Sequence, residues 1–263
     1  SVTGQNIANV NTEGYNKRAA DLEEVPSVQG GVTNVPDQSG LGVRVNQVRR
    51  SFDAFLTSNL RDTNGDFERL DTYVDKLNKL ENMLLPSDSD LGTFIGRFFS
   101  SLQDVASRPD ELSARTVALE NGKALANSFN NYDNQLKNLK SSTHKEVEDD
   151  LKVVNSLVDQ LAQVNKLIMS GGSKNSSPDI LDARDQLLLD LSKYINFTVD
   201  YGESNDAIVR LGNSGNGKIL LKKTDKSVLT SSIQEGRLIF NISRNAINSM
   251  TVSYTHLTLP TKR

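Results

Sequence analysis

The feature that most constrains this chain is a stretch of about 60 residues with helical periodicity and no convincing stop signal. It starts after Pro109, where Asp110 and Glu111 suit the first turn of a helix, and it runs to the glycines after Ser170. An unbroken helix of this length would span roughly 90 Å. Its apolar residues fit one heptad frame: Ala126, Phe129, Leu136, Val147, Val154, Leu157, Leu161, Val164 and Ile168. Such a helix cannot bury this stripe alone, so we predict antiparallel neighbours along its length.

Two shorter helical patterns precede the long one and are the predicted neighbours. The first carries an apolar stripe from Phe52 to Leu84 and ends before Pro86. Ser87 to Asp90 then offer an N-cap for a second helix, whose stripe continues to Val105. We predict that the three helices share one bundle seam. The predicted bundle seam consists of Phe98, Leu102, Phe129, Leu136, Val154, Leu157 and Leu161.

A polar segment interrupts the first stripe. Asp62-Thr63-Asn64-Gly65-Asp66 faintly resembles a calcium-binding loop, but such a loop needs Gly at its sixth position and Glu at its twelfth. Here Gly is fourth and the twelfth position is Tyr73. We therefore interpret the segment as a break or loop between helical parts.

The first 50 residues are rich in Asn, Gly, Val and Gln and favour extended structure over helix. Gly30-Gly31 lies between short β-prone runs, which predicts a hairpin. Leu41, Val43 and Val45 alternate with small or polar residues, which predicts a strand.

The part after the long helix begins with one more helix and then changes to a period of two. Ser177-Pro178-Asp179 is typical of a helix start, and that helix is predicted to reach Ile195. The predicted strands are Phe197–Val199, Ile208–Leu211, Ile219–Leu221 and Leu238–Phe240. The glycine-rich run from Gly212 to Gly217 opens a strand and not a helix, so we interpret it as a hairpin turn and not as a phosphate loop.

The predicted fold class is therefore mainly α. We expect an elongated antiparallel helical bundle with an N-terminal extended or hairpin segment and a small, truncated C-terminal β region. The expected domains are an N-terminal motif and extended segment in 1–50, the bundle in 51–195, the start of an outer β domain in 196–252 and a non-native tail in 253–263. The tail resembles translated sequencing-adapter read-through, and the alternative is a genuine strand from Met250 to Leu259.

Composition agrees with a thin bundle and excludes several functional classes. Hydrophobic residues make up 36% of the chain, aromatics 6%, and Trp is absent, which disfavours a thick layered core. Basic and acidic residues are mixed, with a net charge of −3, so we predict no nucleic-acid partner. No apolar run is long enough for membrane insertion. The absence of Cys excludes disulfides and thiolate metal sites.

The residues that could be catalytic each have a more ordinary structural interpretation. His144 stands alone in the long charged helix, where a solvated side chain is the expected state, and His256 lies in the suspect tail. Asp182-Ala183-Arg184-Asp185 offers two carboxylates and an arginine on adjacent turns, which we interpret as a structural ion pair with a neighbouring helix. We predict no catalytic residue, no cofactor and no metal site, and hence no enzyme.

The N-terminal segment Thr3 to Tyr15 resembles the signature that rod, hook and hook-junction proteins of the bacterial flagellum share. The candidate assembly residues in it are Gly4, Asn6, Ile7, Ala8, Asn9, Asn11, Thr12, Gly14 and Tyr15. Further residues resemble flagellar hook-associated protein 1, the FlgK family: Arg50-Ser51-Phe52-Asp53-Ala54-Phe55, Leu80-Glu81-Asn82, Phe98-Phe99-Ser100-Ser101-Leu102, Pro109, Arg115 and Leu181-Asp182-Ala183-Arg184-Asp185-Gln186-Leu187. The resemblance covers about the first 200 residues in order.

This resemblance implies a structural subunit at the junction between hook and filament. It implies self-association, contacts with hook protein and with a second junction protein of the FlgL type, and export by the flagellar type III apparatus and its chaperone without a cleaved signal peptide. The subunit would then lie outside the cell. The resemblance also implies that both ends of the chain are truncated, and polar terminal segments can stay disordered in the monomer and become ordered on assembly.

Two other hypotheses stay open on sequence grounds. A hook or rod protein with an unusual insertion would carry the same signature, but such proteins are dominated by β structure after it. A secreted hydrolase or metal-binding domain on an axial protein would require a polar cluster in a cleft, and the sequence offers no such cluster.

Overall fold

The computed structural model describes residues 1–12, 14–24, 42–84, 90–171, 177–235, 237–244 and 252–254. Its helices are α1 Val2–Ala8, α2 Ala54–Leu84, α3 Leu91–Ser107, α4 Leu112–Gly171 and α5 Pro178–Ser192. Its strands are β1 Arg18–Glu24, β2 Val43–Arg50, β3 Phe197–Tyr201, β4 Ala207–Leu211, β5 Ile219–Lys222, β6 Asp225–Gln234, β7 Arg237–Arg244 and β8 Val252–Tyr254. The predicted fold class is confirmed: helices dominate, and a small antiparallel sheet follows them.

The long helix α4 is continuous over 60 residues, as its periodicity predicts. The caps of its neighbours also follow the sequence. Asp90 is the N-cap of α3, and its side chain accepts a hydrogen bond of 2.5 Å from the backbone nitrogen of Thr93. Ser177 precedes α5, and Pro178 occupies its first turn. These boundaries depend on local chemistry, which explains why the sequence predicts them well.

The β structure forms two separate sheets. β1 and β2 make an antiparallel pair near the N-terminus, and β3 to β8 form a six-stranded antiparallel meander in chain order. The turn between β4 and β5 contains Gly212 and Gly215, both at positive φ, in agreement with the predicted hairpin turn. The sequence did not predict β6. Val252–Tyr254 pairs with β7, whereas Gly30-Gly31, Leu41, Pro86 and the rest of the tail lie outside the described residues.

The hydrophobic core lies between the second half of α4, the helix α5 and the six-stranded sheet. Val154, Leu157 and Leu161 are buried in it, as predicted for the bundle seam, but they pack with α5 and sheet residues. The side chains of two asparagines on α4 bond the sheet backbone directly. Asn165 bonds Ala207 and Lys223, and Asn155 bonds Leu229. One core therefore spans the predicted domain boundary between residues 195 and 196.

The single continuous bundle seam is wrong in its first half. Leu102, Phe129 and Leu136 remain exposed, although they share the predicted helical faces. Phe98 is half-buried and lies over Gly122 of α4. The reason is that α3 covers only the first part of α4, whereas the buried part is covered by a sheet that is distant in sequence.

The helix α2 also differs from its prediction. It runs unbroken through Asp62 to Asp66, so the predicted break or loop is wrong. Its apolar side remains exposed among the described residues. The exposed apolar residues of α2 are Phe55, Leu56, Leu60, Phe67, Leu70, Tyr73, Val74 and Leu77. The helix α2 is held instead by polar contacts and close packing, which include the ion pair between Lys76 and Glu146 of α4.

Gly65 allows α2 to approach α5 closely. A Cβ atom at this position would lie 2.9 Å from the carbonyl oxygen of Ser192, which is closer than real Cβ contacts allow. We expect Gly65→Ala to lower the free energy of unfolding by about 1–3 kcal/mol, because helix α2 must move away from α5. Urea unfolding followed by circular dichroism measures this change.

Gly96 in α3 provides the matched control, since nothing lies within 4 Å of a Cβ atom there. Gly96→Ala removes a flexible residue from a helix interior and should raise the free energy of unfolding by about 0.5–1 kcal/mol. Equal effects of the two substitutions would show that the contact between α2 and α5 is misplaced.

Candidate assembly site

The N-terminal signature forms a short helix followed by a tight turn. The Ser1 hydroxyl caps α1 by accepting a hydrogen bond of 3.2 Å from the backbone nitrogen of Gly4. After the helix, the side chain of Asn9 donates to the carbonyl of Gln5 at 2.9 Å. Gly14 follows at a φ of 77°, a conformation that favours glycine. The small and amide residues of the signature are therefore used to turn the chain from α1 into β1.

Asn6 connects this turn to the first strand. Its side-chain oxygen accepts hydrogen bonds of 2.9 Å from the Tyr15 hydroxyl and from the backbone nitrogen of Arg18. Its side-chain nitrogen donates to the carbonyl of Arg18, also at 2.9 Å. A side-chain amide has separate donor and acceptor atoms that can serve three such bonds at once, so Asn fits this position. Asn6 and Tyr15 thus act within the subunit and hold α1 against β1.

The turn also lies against helix α5. The side chain of Asn16 donates a hydrogen bond of 2.8 Å to Asp182. A Cβ atom at Gly14 would lie 3.4 Å from the Cβ atom of Gln186, so the two backbones are close. A cavity of about 140 Å³ is lined by Gly14, Tyr15, Asn16 and Gln186 and also contacts the start of α2.

A buried cluster of charges joins the N-terminal hairpin to α5. Arg50 at the end of β2 contacts Asp182 at 3.0 Å and Asp185 at 2.6 Å. Arg18 at the start of β1 contacts Asp179 and, at 3.5 Å, Asp182. We call Arg18, Arg50, Asp182 and Asp185 the charge latch. Its four side chains are each 7 to 11% exposed.

A further arginine holds the α5 side of the latch in place. Arg184 is almost fully buried and contacts Asp185 at 2.8 Å. It also donates a hydrogen bond of 2.7 Å to the carbonyl of Asn205, and its guanidinium stacks on the Tyr201 ring. Asp185 therefore accepts from two arginines that come from opposite sides, which fixes its position between hairpin and sheet.

The positive and negative charges in the latch and beside it are equal in number. Arg18, Arg50 and Arg184 supply three positive charges, and Asp179 adds its carboxylate to those of Asp182 and Asp185. The hydrogen bond to Asp179 raises the pKa of Arg18 above its ordinary value. Because the pKa of Arg18 is raised in the folded state, this contribution to stability is fully present at every pH below the unfolded-state pKa of arginine and is lost only at a more alkaline pH. Arg18 therefore stays charged at every physiological pH.

The sequence predicted the ion-pairing residues on α5 but not the partners of their carboxylates. Asp182, Arg184 and Asp185 do form structural ion pairs, but the partners of the carboxylates lie on β1 and β2 and not on a neighbouring helix. The physical reason is that α5 turns these carboxylates toward the hairpin. Arg18 and Arg50 were not predicted as site residues. Arg50 does belong to one of the motifs that resemble the FlgK family, but only the structure shows that it opposes Arg18 at the open end of one hairpin.

The remaining signature residues lie on the surface. Gly4, Ile7, Ala8, Asn11, Thr12 and Gly14 are exposed. The apolar side chains of Ile7 and Val10 are 70% and 75% exposed. The signature therefore has an inner part, which fixes it to the subunit, and an outer part, which is free to contact another molecule within the described part of the chain.

Within the described ranges, no group of three or more His, Asp or Glu side chains has the arrangement of a metal site. In the same part of the chain, no helix is both long and apolar enough to cross a bilayer.

Comparison with known proteins finds similarity to flagellar hook-associated proteins. A family model described as the flagellar hook-associated protein FlgK helical domain matches residues 77–252. The chain is 32% identical over 232 residues to flagellar hook-associated protein 1 of Bacillus subtilis (strain 168), which covers 86% of this chain and 45% of that protein. It is 30% identical over 202 residues to the protein of the same name from Salmonella typhimurium. That alignment covers 76% of this chain and 36% of the relative.

A solved structure has the same fold over most of the chain. The flagellar hook junction protein FlgK from Burkholderia pseudomallei matches with a TM-score of 0.67 and 24% sequence identity, covering 74% of this chain and 35% of that one. The chain thus spans less than half the length of the relatives it matches.

Proposed function

The chain belongs to the FlgK family of flagellar hook-associated proteins, and from this premise we propose that it acts as a structural subunit at the junction between hook and filament. The observation that carries the proposal is the family match over residues 77–252, which includes most of the helical part and the sheet. The family is a structural component of the flagellum, and we propose no catalytic role.

The surface of the subunit supports a role in assembly. The apolar side of α2 and the outer part of the signature leave large apolar side chains in contact with water. Contiguous exposed apolar surface on a soluble chain is typical of an interaction site. We propose that the signature residues Gly4, Ile7, Ala8, Asn11 and Thr12 contact neighbouring subunits, whereas Asn6, Asn9, Gly14 and Tyr15 shape the segment that presents them.

The partners follow from the proposed position. They are further copies of the subunit, hook protein on one side and a second junction protein of the FlgL type on the other. The flagellar export apparatus and its chaperone would deliver the subunit to its place outside the cell. The division into an N-terminal segment, a bundle and an outer β domain is part of this proposal.

Immunogold labelling of flagella tests the proposed position. Antibodies raised against the purified chain should label isolated flagella of the source bacterium in one narrow band where hook meets filament. Antibodies against hook protein and flagellin, used on the same sample, mark the two sides as controls. Label spread along the hook or rod, or flagella without label, would contradict the proposal.

A further inference from the structure

The N-terminal hairpin and signature are joined to the helical part through few apolar contacts. β1 and β2 bury little apolar surface, since Leu22, Val43 and Val45 are all exposed. The contacts that reach α5 are instead the charge latch, the bond from Asn16 to Asp182 and the close approach of Gly14 to Gln186. A two-stranded hairpin is marginally stable by itself in water. Its order must therefore come from these polar contacts.

We propose that the charge latch is the device that docks the N-terminal segment on α5 in the free subunit and sets the direction in which the signature points. Arg50 bridges two carboxylates of α5 from the end of β2, and Arg18 reaches the same helix from the start of β1. The two arginines oppose each other in the hairpin register, so they fix both strands at once. Asn6 holds α1 against β1 through its three hydrogen bonds, so the docked hairpin also sets the position of α1.

The proposal differs from the expectation that the segment stays disordered until assembly. A docked segment presents Ile7 and Val10 in one orientation before any partner arrives. This preorganisation lowers the ordering cost of association. The consequence for assembly depends on the proposed function, whereas docking itself is a property of the isolated chain and can be tested without flagella.

Disulfide trapping tests docking because the chain contains no Cys. The substitutions Gly14→Cys and Gln186→Cys place two thiols on carbons about 3.4 Å apart, close to the lower end of the disulfide range. Gly14 has a φ of 77°, so Cys strains the turn there, and the test therefore compares trapping rates only among variants that share this double-Cys background. In the purified monomer under mild oxidation we expect an intramolecular disulfide in nearly every molecule. The yield is measured by blocking the remaining thiols with a polyethylene-glycol maleimide and reading the shift on a gel.

Two latch variants in this background test whether the charges hold the segment. Arg50→Met removes the bridge to both carboxylates, and Asp182→Asn is a milder isosteric change that weakens contacts with Arg18 and Arg50. We expect each to slow disulfide formation, by at least about tenfold for Arg50→Met. Arg49→Met is the matched control, since Arg49 makes an exposed ion pair with Asp21 inside the hairpin. It should leave the rate unchanged.

Hydrogen exchange on the chain without added thiols gives an independent measurement. Amides of β1 should be protected in the unchanged protein and in Arg49→Met, and should lose protection in Arg50→Met while α4 keeps it. Equal trapping rates in Arg50→Met and Arg49→Met would overturn the proposal. So would an unprotected β1 in the unchanged protein, or simultaneous loss of protection in β1 and α4, since the charges would then hold the core and not a separable segment.

The outcomes separate this inference from the proposed function. Immunogold label at the junction together with equal trapping rates in Arg50→Met and Arg49→Met would remove the latch and keep the junction assignment. Successful trapping with label elsewhere would do the opposite.

Discussion

Leu157→Asp is expected to lower the free energy of unfolding by more than about 3 kcal/mol, because it places a carboxylate in the core between α4 and the sheet. Leu157 is 9% exposed and belongs to the core cluster that also contains Leu191 and Leu229. The side chains of that cluster are hydrophobic, so the introduced carboxylate would be surrounded by apolar groups. Thermal and urea unfolding followed by circular dichroism measure the loss.

Leu136→Asp is the matched control on the same helix. Leu136 precedes Leu157 by three heptads and occupies the same predicted heptad position, yet it is 47% exposed. We expect it to change the free energy of unfolding by no more than about 0.5 kcal/mol. If the two variants were destabilised equally, the first half of α4 would be covered as well as the second, and the assignment of the core to the sheet side would be wrong.

This pair of residues shows what periodicity can and cannot predict. A heptad pattern states that Leu136 and Leu157 lie on one face of one helix, because that depends only on helical geometry. It does not state what covers the face. Leu157 is covered by α5 and by strands far away in sequence, and such contacts leave no local signal. The fold class and the helix ends were therefore predictable, whereas the two halves of the predicted bundle seam were not distinguishable.

Two local misinterpretations have the same origin. Gly65 in a run of polar residues indicates a loop by propensity, but its contact with Ser192 makes glycine the residue that a helix needs there. The strand β6 is rich in Ser and Thr and has few apolar residues. It pairs with β7 from Ser227 to Gln234, and Asn155 of α4 bonds its backbone at Leu229. Tertiary contacts decide both cases.

Only the separate parts of the candidate site were predictable from the sequence, for a related reason. The spacing of Asp182, Arg184 and Asp185 on one helix indicates ion pairs, and the resemblance of the signature indicates an assembly segment. The link between them is Arg50 with Asp185, which are 135 residues apart. A sequence pattern cannot join two such distant groups, so the docking of the signature on α5 emerges only from the fold.

The second large effect is expected at Asn165, which binds the sheet to α4 by three hydrogen bonds. Its side-chain nitrogen donates to the carbonyls of Ala207 and Lys223 at 2.8 and 2.9 Å, and its oxygen accepts from the backbone nitrogen of Ala207 at 2.8 Å. The residue is fully buried. Asn165→Asp keeps the shape but replaces two donors by a charge that faces two carbonyl oxygens. We expect a loss of about 3–5 kcal/mol at pH 7 in urea unfolding.

The pH dependence of this loss identifies its cause. Burial and the two carbonyls should raise the pKa of the introduced carboxyl in the folded state above its value of about 3.9 in the unfolded chain. The destabilisation relative to the unchanged protein should then be smallest below about pH 4 and grow as the pH rises toward the folded-state pKa. Asn155→Asp is the control, since Asn155 makes the same kind of bonds to Leu229 but is only partly buried. It should lose about 1 kcal/mol with little dependence on pH. A loss at Asn165 that stays constant from pH 4 to 8 would mean that the introduced carboxyl has the same pKa in the folded and unfolded states. Residue 165 would then not face the two carbonyls in a buried site, and the binding of the sheet to α4 would have to rest on apolar packing alone.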